Sequence, residues 1–201
     1  MDSPSATVTN AFLYPGLIES LPFLKRIEKF MRQDDEKALQ AVPDFIGIQN
    51  YTREVVKHSY FTPYINSSLV SAKKRVNEVT EMEWEVYPQA MHEMLHHFSK
   101  YNFKKMYVTE NGAAFPDTVS DGKVHDHQRK NYLQSNIAEL LKAKSEGVNV
   151  QGYFVWSFTD NFEWAEGYRP RFGLVHVNYE NQKRIIKESG HWYSNFLAGI
   201  Y

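Results

Sequence analysis

Residues 106–116 read MYVTENGAAFP, and the order of residue types within them decides how the chain is read. Met106, Tyr107 and Val108 favour a buried strand, while Asn111 and Gly112 favour a turn. Between the two stands an acid, Glu110. In α/β folds with parallel strands, chemistry collects at the C-terminal strand ends. On this stretch alone two readings stay open: Glu110 solvates the turn, or it projects into a site.

The flanking segments supply the rest of an alternating pattern. DFIGIQNYT, after Pro43, is a short apolar run that predicts a strand over Phe45–Tyr51. Tyr87, Met91, Met94, Leu95, Phe98 and Tyr101 recur at helical spacing, with Pro88 in the first turn. A second helix is predicted over Gln128–Glu146, with Tyr132, Leu133, Ile137, Leu140 and Leu141 on one face and Gly147 as its stop. NVQGYFVWSF gives a third buried strand, GLVHVNY a shorter alternating one, and HWYSNFLAG a terminal helix. Upstream, Leu21, Leu24, Ile27, Phe30 and Met31 mark a helix ending near Val42, and 52–83 and 114–127 are expected as loops. Strand and helix alternate three times, which predicts an α/β fold with a parallel sheet.

Composition narrows the functional classes. The 201 residues suit a single domain, and a net charge of −1 gives no field that favours nucleic acid or an anionic membrane surface. The absence of cysteine excludes a disulfide scaffold and thiolate chemistry. The first ten residues, MDSPSATVTN, have neither a basic nor an apolar signal region, so a cytoplasmic location is expected.

The third strand runs into WSFTDNFEWAEGYRPRF, where Trp156, Asp160, Glu163, Trp164 and Glu166 crowd a segment too acidic for core and too aromatic for an ordinary loop. Indole faces stack on the C–H surface of a pyranose, and carboxylates accept hydrogen bonds from vicinal hydroxyls. Core filling with solvated loop acids is the plainer alternative.

YVTENG, DFIGIQNYT, EWEVYP, DGKVHDHQRKNYL and GYFVWSFTDNFEWAEGYRPRFGLVHVNY together resemble the C-terminal part of family 1 glycoside hydrolases, the β-glucosidase family, in order and spacing. The similarity runs from about Phe45 to Gly199. It implies a single partial (β/α)8-barrel domain over 1–201, with 1–44 as leader and helix and 45–201 as the family-like region contributing strands six to eight. The resemblance further implies retaining hydrolysis of a β-glycoside or oligosaccharide, with Glu110 as nucleophile. It makes Tyr51 a hydrogen-bond donor to that nucleophile, Trp156 the sugar platform, Glu163 and Trp164 ligands of the sugar hydroxyls, and Phe172 part of the pocket wall. No cofactor and no metal are implied. The phospho-glycosidase branch carries serine, lysine and tyrosine where Glu163, Pro170 and Phe172 stand here, so unphosphorylated sugars are expected.

The chain departs from the family in one respect that matters. Retention needs a second carboxyl group about 5–5.5 Å from the nucleophile. The family takes it from an Asn-Glu-Pro segment, and no such tripeptide occurs in these 201 residues. The chain alone is therefore expected to be inactive or weak, and to self-associate or to pair with a complementary N-terminal barrel fragment. A non-catalytic sugar-binding or assembly fragment is the alternative. A more distant one is a zinc peptidase, because HEMLH at His92–His96 fits H-E-x-x-H. Its helix belongs to the glycosidase resemblance, and His97 shows the segment to be simply rich in histidine.

Overall fold

The computed structural model describes residues 30, 32–35, 43–62, 65–101 and 103–200; the helix expected over 21–42 falls largely outside them. In chain order the elements are β1 (Ile46–Gln49), β2 (Val56–His58), β3 (Ser67–Leu69), α1 (Gln89–Ser99), β4 (Met106–Asn111), β5 (Val119–Ser120), β6 (Lys123–Val124), α2 (His127–Ser145), β7 (Val150–Val155), β8 (Val175–Val177), β9 (Arg184–Ile186) and α3 (Glu188–Leu197). Strands β1, β4 and β7 form a parallel sheet in that order, joined by helical crossovers.

One face of this sheet is sealed by the helices. Ile48, Met106, Val108 and Val150 pack against Met91 and Leu95 of α1 and Leu140 and Ala143 of α2. Met91, Leu95 and Val108 are fully buried, each worth about 1.5–3 kcal/mol in apolar transfer. The opposite face is open. Tyr107 pairs in register with Gly47 on one side and Gly152 on the other, and a side chain at Gly152 would collide with its ring. Phe45 meets Tyr107 edge-on, and Phe154 is 57% exposed. This is a barrel's inner wall seen from its hollow side.

The structure corrects the sequence reading in several places. Region 52–83 is not one loop but an antiparallel hairpin, β2–β3, followed by a short 3-10 turn at Ala72–Lys74. The 114–127 loop contains the two-residue hairpin β5–β6. Leu141, placed on the buried face of α2, is 48% exposed, whereas Arg129 and Asn136 are buried there. GLVHVNY is expected to alternate, but all three residues of β8 are buried, and β8 pairs antiparallel with β9. Among the described residues no helix is long and apolar enough to cross a membrane.

Candidate active site

Strict alternation along β4 would send Glu110 to the helix side, with Met106 and Val108. A bulge prevents this. Ile48 pairs with Val108 and Gln49 with Glu110, while on the other side Val108 pairs with Tyr153 and Asn111 with Val155. Against both neighbours β4 carries one extra residue, so the facing of its last residues is reversed. Asn111 thereby turns inward to the protein, fully buried, and Glu110 turns to the open end of the sheet.

There Tyr51 Oη donates to Glu110 Oε2 over 2.6 Å. Burial, reinforced by the Glu110 charge, raises the Tyr51 pKa well above that of an ordinary phenol, so it stays a donor across the neutral range. Its ring lies against Trp84 at 5.3 Å between centroids and edge-on to Phe172 at 6.3 Å. Behind it, the Tyr132 hydroxyl donates to the Tyr51 carbonyl over 2.8 Å. Asn111 locks this backing: Nδ2 donates to the Asn50 carbonyl over 2.6 Å and to Tyr132 over 3.0 Å, and Oδ1 accepts from Tyr153 over 2.5 Å. Burial raises the pKa of both of these tyrosines too. Three strands and a helix thus converge on one carboxylate.

The second half of the site follows β7. Trp156 N donates to the Asn111 carbonyl over 2.9 Å, and a Cβ on Gly112 would stand 1.7 Å from the Trp156 carbonyl oxygen, so only glycine permits this approach. Trp156 is thereby seated directly beside the end of β4. Its Nε1 donates to Glu163 Oε1 over 3.1 Å, and Asn161 Nδ2 donates to the same oxygen over 2.6 Å. Among the described residues Glu163 Oε2 takes no hydrogen bond, which leaves it as an acceptor at the mouth of the site.

Not every expected site residue joins this group. Trp164 lies in the 3-10 turn Trp164–Glu166 and is 82% exposed. Phe172 is 2% exposed, so it supports the Tyr51 and Trp84 rings from beneath instead of offering a face. Asp160 belongs elsewhere altogether. Its carboxylate accepts from Gly173 N (3.0 Å), Val177 N (3.2 Å), Arg171 (3.0 Å) and Lys187 Nζ (2.8 Å), within the fold. Lys187 also pairs with Asp117, and Arg129 binds both Asp117 and Asp126 together with the Ala113 and Phe115 carbonyls. This knot of charges holds the segments that follow β4 and β7. Glu166 is tied to Arg169 at the surface.

Sequence reasoning missed Asn111, Asn161 and Trp84. The last was legible, since EWEVYP is one of the segments that carried the resemblance. Trp84 is positioned by its neighbour Glu85, whose carboxylate is gripped by Arg53 (3.0 Å) and Arg75 (2.8 Å). In HEMLH the acid of the pattern is turned away from its histidines: Glu93 accepts from Tyr87 Oη over 3.2 Å.

A half-buried carboxylate thus stands at a strand end of a parallel α/β sheet, held by a phenol and flanked by an indole and a second acceptor. The glycosyl hydrolase family 1 model matches residues 13–199, and the chain belongs to that family. It is 45% identical over 186 residues to β-glucosidase A of Thermotoga maritima, covering 92% of this chain and 40% of that protein. A 6-phospho-β-galactosidase of Clostridium acetobutylicum is 38% identical over 75% of this chain and 35% of its own length. Among solved structures, a Thermotoga maritima family 1 glycoside hydrolase complexed with a cyclophellitol analogue transition state mimic superposes with a TM-score of 0.82 at 42% identity, over 94% of this chain and 41% of that one. The chain spans about 40% of the length of the relatives it matches. Its fold is accordingly a part of a (β/α)8 barrel.

Proposed function

We propose that this chain carries the nucleophile half of a retaining β-glucosidase. The observation that supports the reading is the Tyr51–Glu110 hydrogen bond at the end of a bulged strand, beside the Trp156–Glu163 pair. Glu110 attacks the anomeric carbon, the glycosidic C–O bond breaks, and a glycosyl ester forms on the carboxylate. Water then cleaves that ester with retention. The Tyr51 phenol steadies the carboxylate charge before attack and orients it toward the sugar. Trp156 supplies the stacking surface, Glu163 Oε2 accepts from sugar hydroxyls, and Trp164, exposed at the rim, is the partner of that contact.

The proton donor to the leaving oxygen is a carboxyl from outside these 201 residues, in the part of the barrel that faces the open wall of Phe45, Tyr107 and Phe154. A complementary N-terminal portion of barrel is the partner proposed for that wall. General acid catalysis contributes about 10²–10⁴-fold, so the isolated chain should fail most severely on poor leaving groups. The Glu163 carboxylate at the sugar end would repel a 6-phosphate, which favours unphosphorylated glycosides although a phospho-specific relative matches at 38%. In the assembled enzyme, a 2-deoxy-2-fluoro glucoside should esterify Glu110. A label recovered by peptide mass spectrometry on any other residue would end this assignment. Sugar binding without turnover by the complete assembly would instead favour a binding module.

A further inference from the structure

We propose that His92, His96 and Glu146 form a surface site for a divalent transition-metal ion, zinc(II) foremost, that clips α1 to α2. His92 and His96 lie one helical turn apart on the same face of α1, with ring centroids 4.4 Å apart. Glu146 follows the last residue of α2. Both imidazole Nε2 atoms stand 2.6 Å from the same carboxylate oxygen, Glu146 Oε2, and the three candidate ligand atoms lie within 4.8 Å of one another. Two nitrogens and one carboxylate oxygen converge there on one point.

The donor set selects the ion. Two imidazoles and a carboxylate suit zinc, nickel or copper, whereas magnesium and calcium ask for oxygen ligands throughout. Zinc with bonds of about 2.0–2.1 Å holds its ligand atoms roughly 3.3–3.4 Å apart in a tetrahedron. The present 2.6 Å contacts must therefore open by less than about 1 Å, a small demand on three side chains that are 22%, 36% and 41% exposed. That exposure also gives the ion an entry path and leaves the fourth position to water.

Competition from protein cations sets this cluster apart. The described residues hold two other such groups, His125/His127/Glu188 and Asp117/Asp160/His176. In the first, Lys130 occupies Glu188; in the second, Lys187 holds both aspartates and Arg129 and Arg171 each hold one. Among the described residues no lysine or arginine is paired with Glu146. The place in the fold assigns the role. Glu146 stands just before β7 begins, at the strand-start end of the sheet, while Glu110 stands at the strand-finish end, so an ion here has no access to the glycosidic bond. Glu93 is engaged by Tyr87, so no base is poised for hydrolysis either. The ion would tie two helices of the outer ring. Glu146 lies 50 residues beyond His96 in the chain, so the HEMLH spacing does not reveal this third ligand.

The test uses the intact protein carrying His125→Ala and His127→Ala, which silences the other exposed histidine pair. Titration with zinc(II) at neutral pH, followed by calorimetry, should show one equivalent bound, with melting temperature rising as zinc is added. His96→Ala and Glu146→Gln, each added to that background, should weaken binding by about tenfold or more. A smaller loss in either variant, or no zinc bound in the parent, overturns the proposal. X-ray absorption of the zinc-loaded parent covers the case in which a variant misfolds: two imidazole nitrogens in the first coordination sphere support the site, and fewer than two reject it.

Discussion

Glu110 lies at the end of β4 and Asp160 just beyond its neighbour β7, and their surroundings are opposite. Glu110 meets one neutral donor, Tyr51, in a half-buried cleft. Asp160 is 4% exposed and held by two cations and two backbone amides. A carboxylate so saturated has no lone pair left for chemistry, and one with a single phenol keeps its charge available. Reactivity here is a matter of what has been withheld from the side chain, since the two acids differ by only one methylene.

The sharpest way to break this contrast is to remove each charge in turn in the assembled enzyme. Glu110→Gln should abolish turnover by roughly 10⁴-fold or more while leaving the melting temperature close to that of the parent. Asp160→Asn should do the reverse in kind, lowering stability while the folded fraction still turns over; equal kinetic damage from both would erase the distinction. Next in size is the cationic side of the knot. Lys187 is fully buried between Asp117 and Asp160, and Lys187→Met should cost about 3–5 kcal/mol in urea unfolding by leaving two aspartates short of a partner. A change under about 1 kcal/mol would show that the network is dispensable. Tyr51→Phe tests the other acid. Losing a hydrogen bond to a charged group is worth about 1.5–3 kcal/mol, so kcat/KM should fall by roughly 10–10²-fold. An unchanged value would mean the phenol does not steady the nucleophile.

The smallest effect concerns Glu85, which is intermediate: buried, yet paired with Arg53 at a more open edge. The Arg53 hydrogen bond holds its pKa below the usual 4.5, so the native state binds its proton less readily than the unfolded chain. The stabilisation is complete above pH 4.5 and fades as the pH falls through the lowered folded value. The difference in melting temperature between parent and Glu85→Gln should follow that course, and a difference that grew in acid would reverse the assigned sign.

The parts of the fold legible in the sequence are those with a strong period or a continuous apolar run. The 3.6-residue spacing of Met91, Leu95 and Phe98 gives α1, and MYV and GYFV give β4 and β7, because the packing of one face of these elements against another leaves an apolar mark. Hairpin β2–β3 leaves none. Its residues, VKH and SSL, are exposed or half-exposed, so nothing in their pattern records pairing. The acids divide similarly. Glu110 was marked by its strand-to-turn setting, but Asp160 and Glu163 look alike in the sequence, and only Arg171 and Lys187, brought in from later in the chain, separate knot from site. Asn111 reads as an ordinary turn former beside Gly112, and its three-way bonding is visible only once Asn50, Tyr132 and Tyr153 are assembled around it.

The bulge in β4 makes the aim of Glu110 a question of odd and even. A strand has two sides, and each residue counted in or out exchanges them for everything downstream. Were β4 to run straight through Thr109 with its length unchanged, every chemical group of the site would remain in the chain, yet the acid would point at the helices and the Asn111 amide would swing toward the open face. Substitutions explore such a site by degrees, whereas a shift of register here acts as an on–off event. Register, more than identity, is therefore what the end of this strand can least afford to vary.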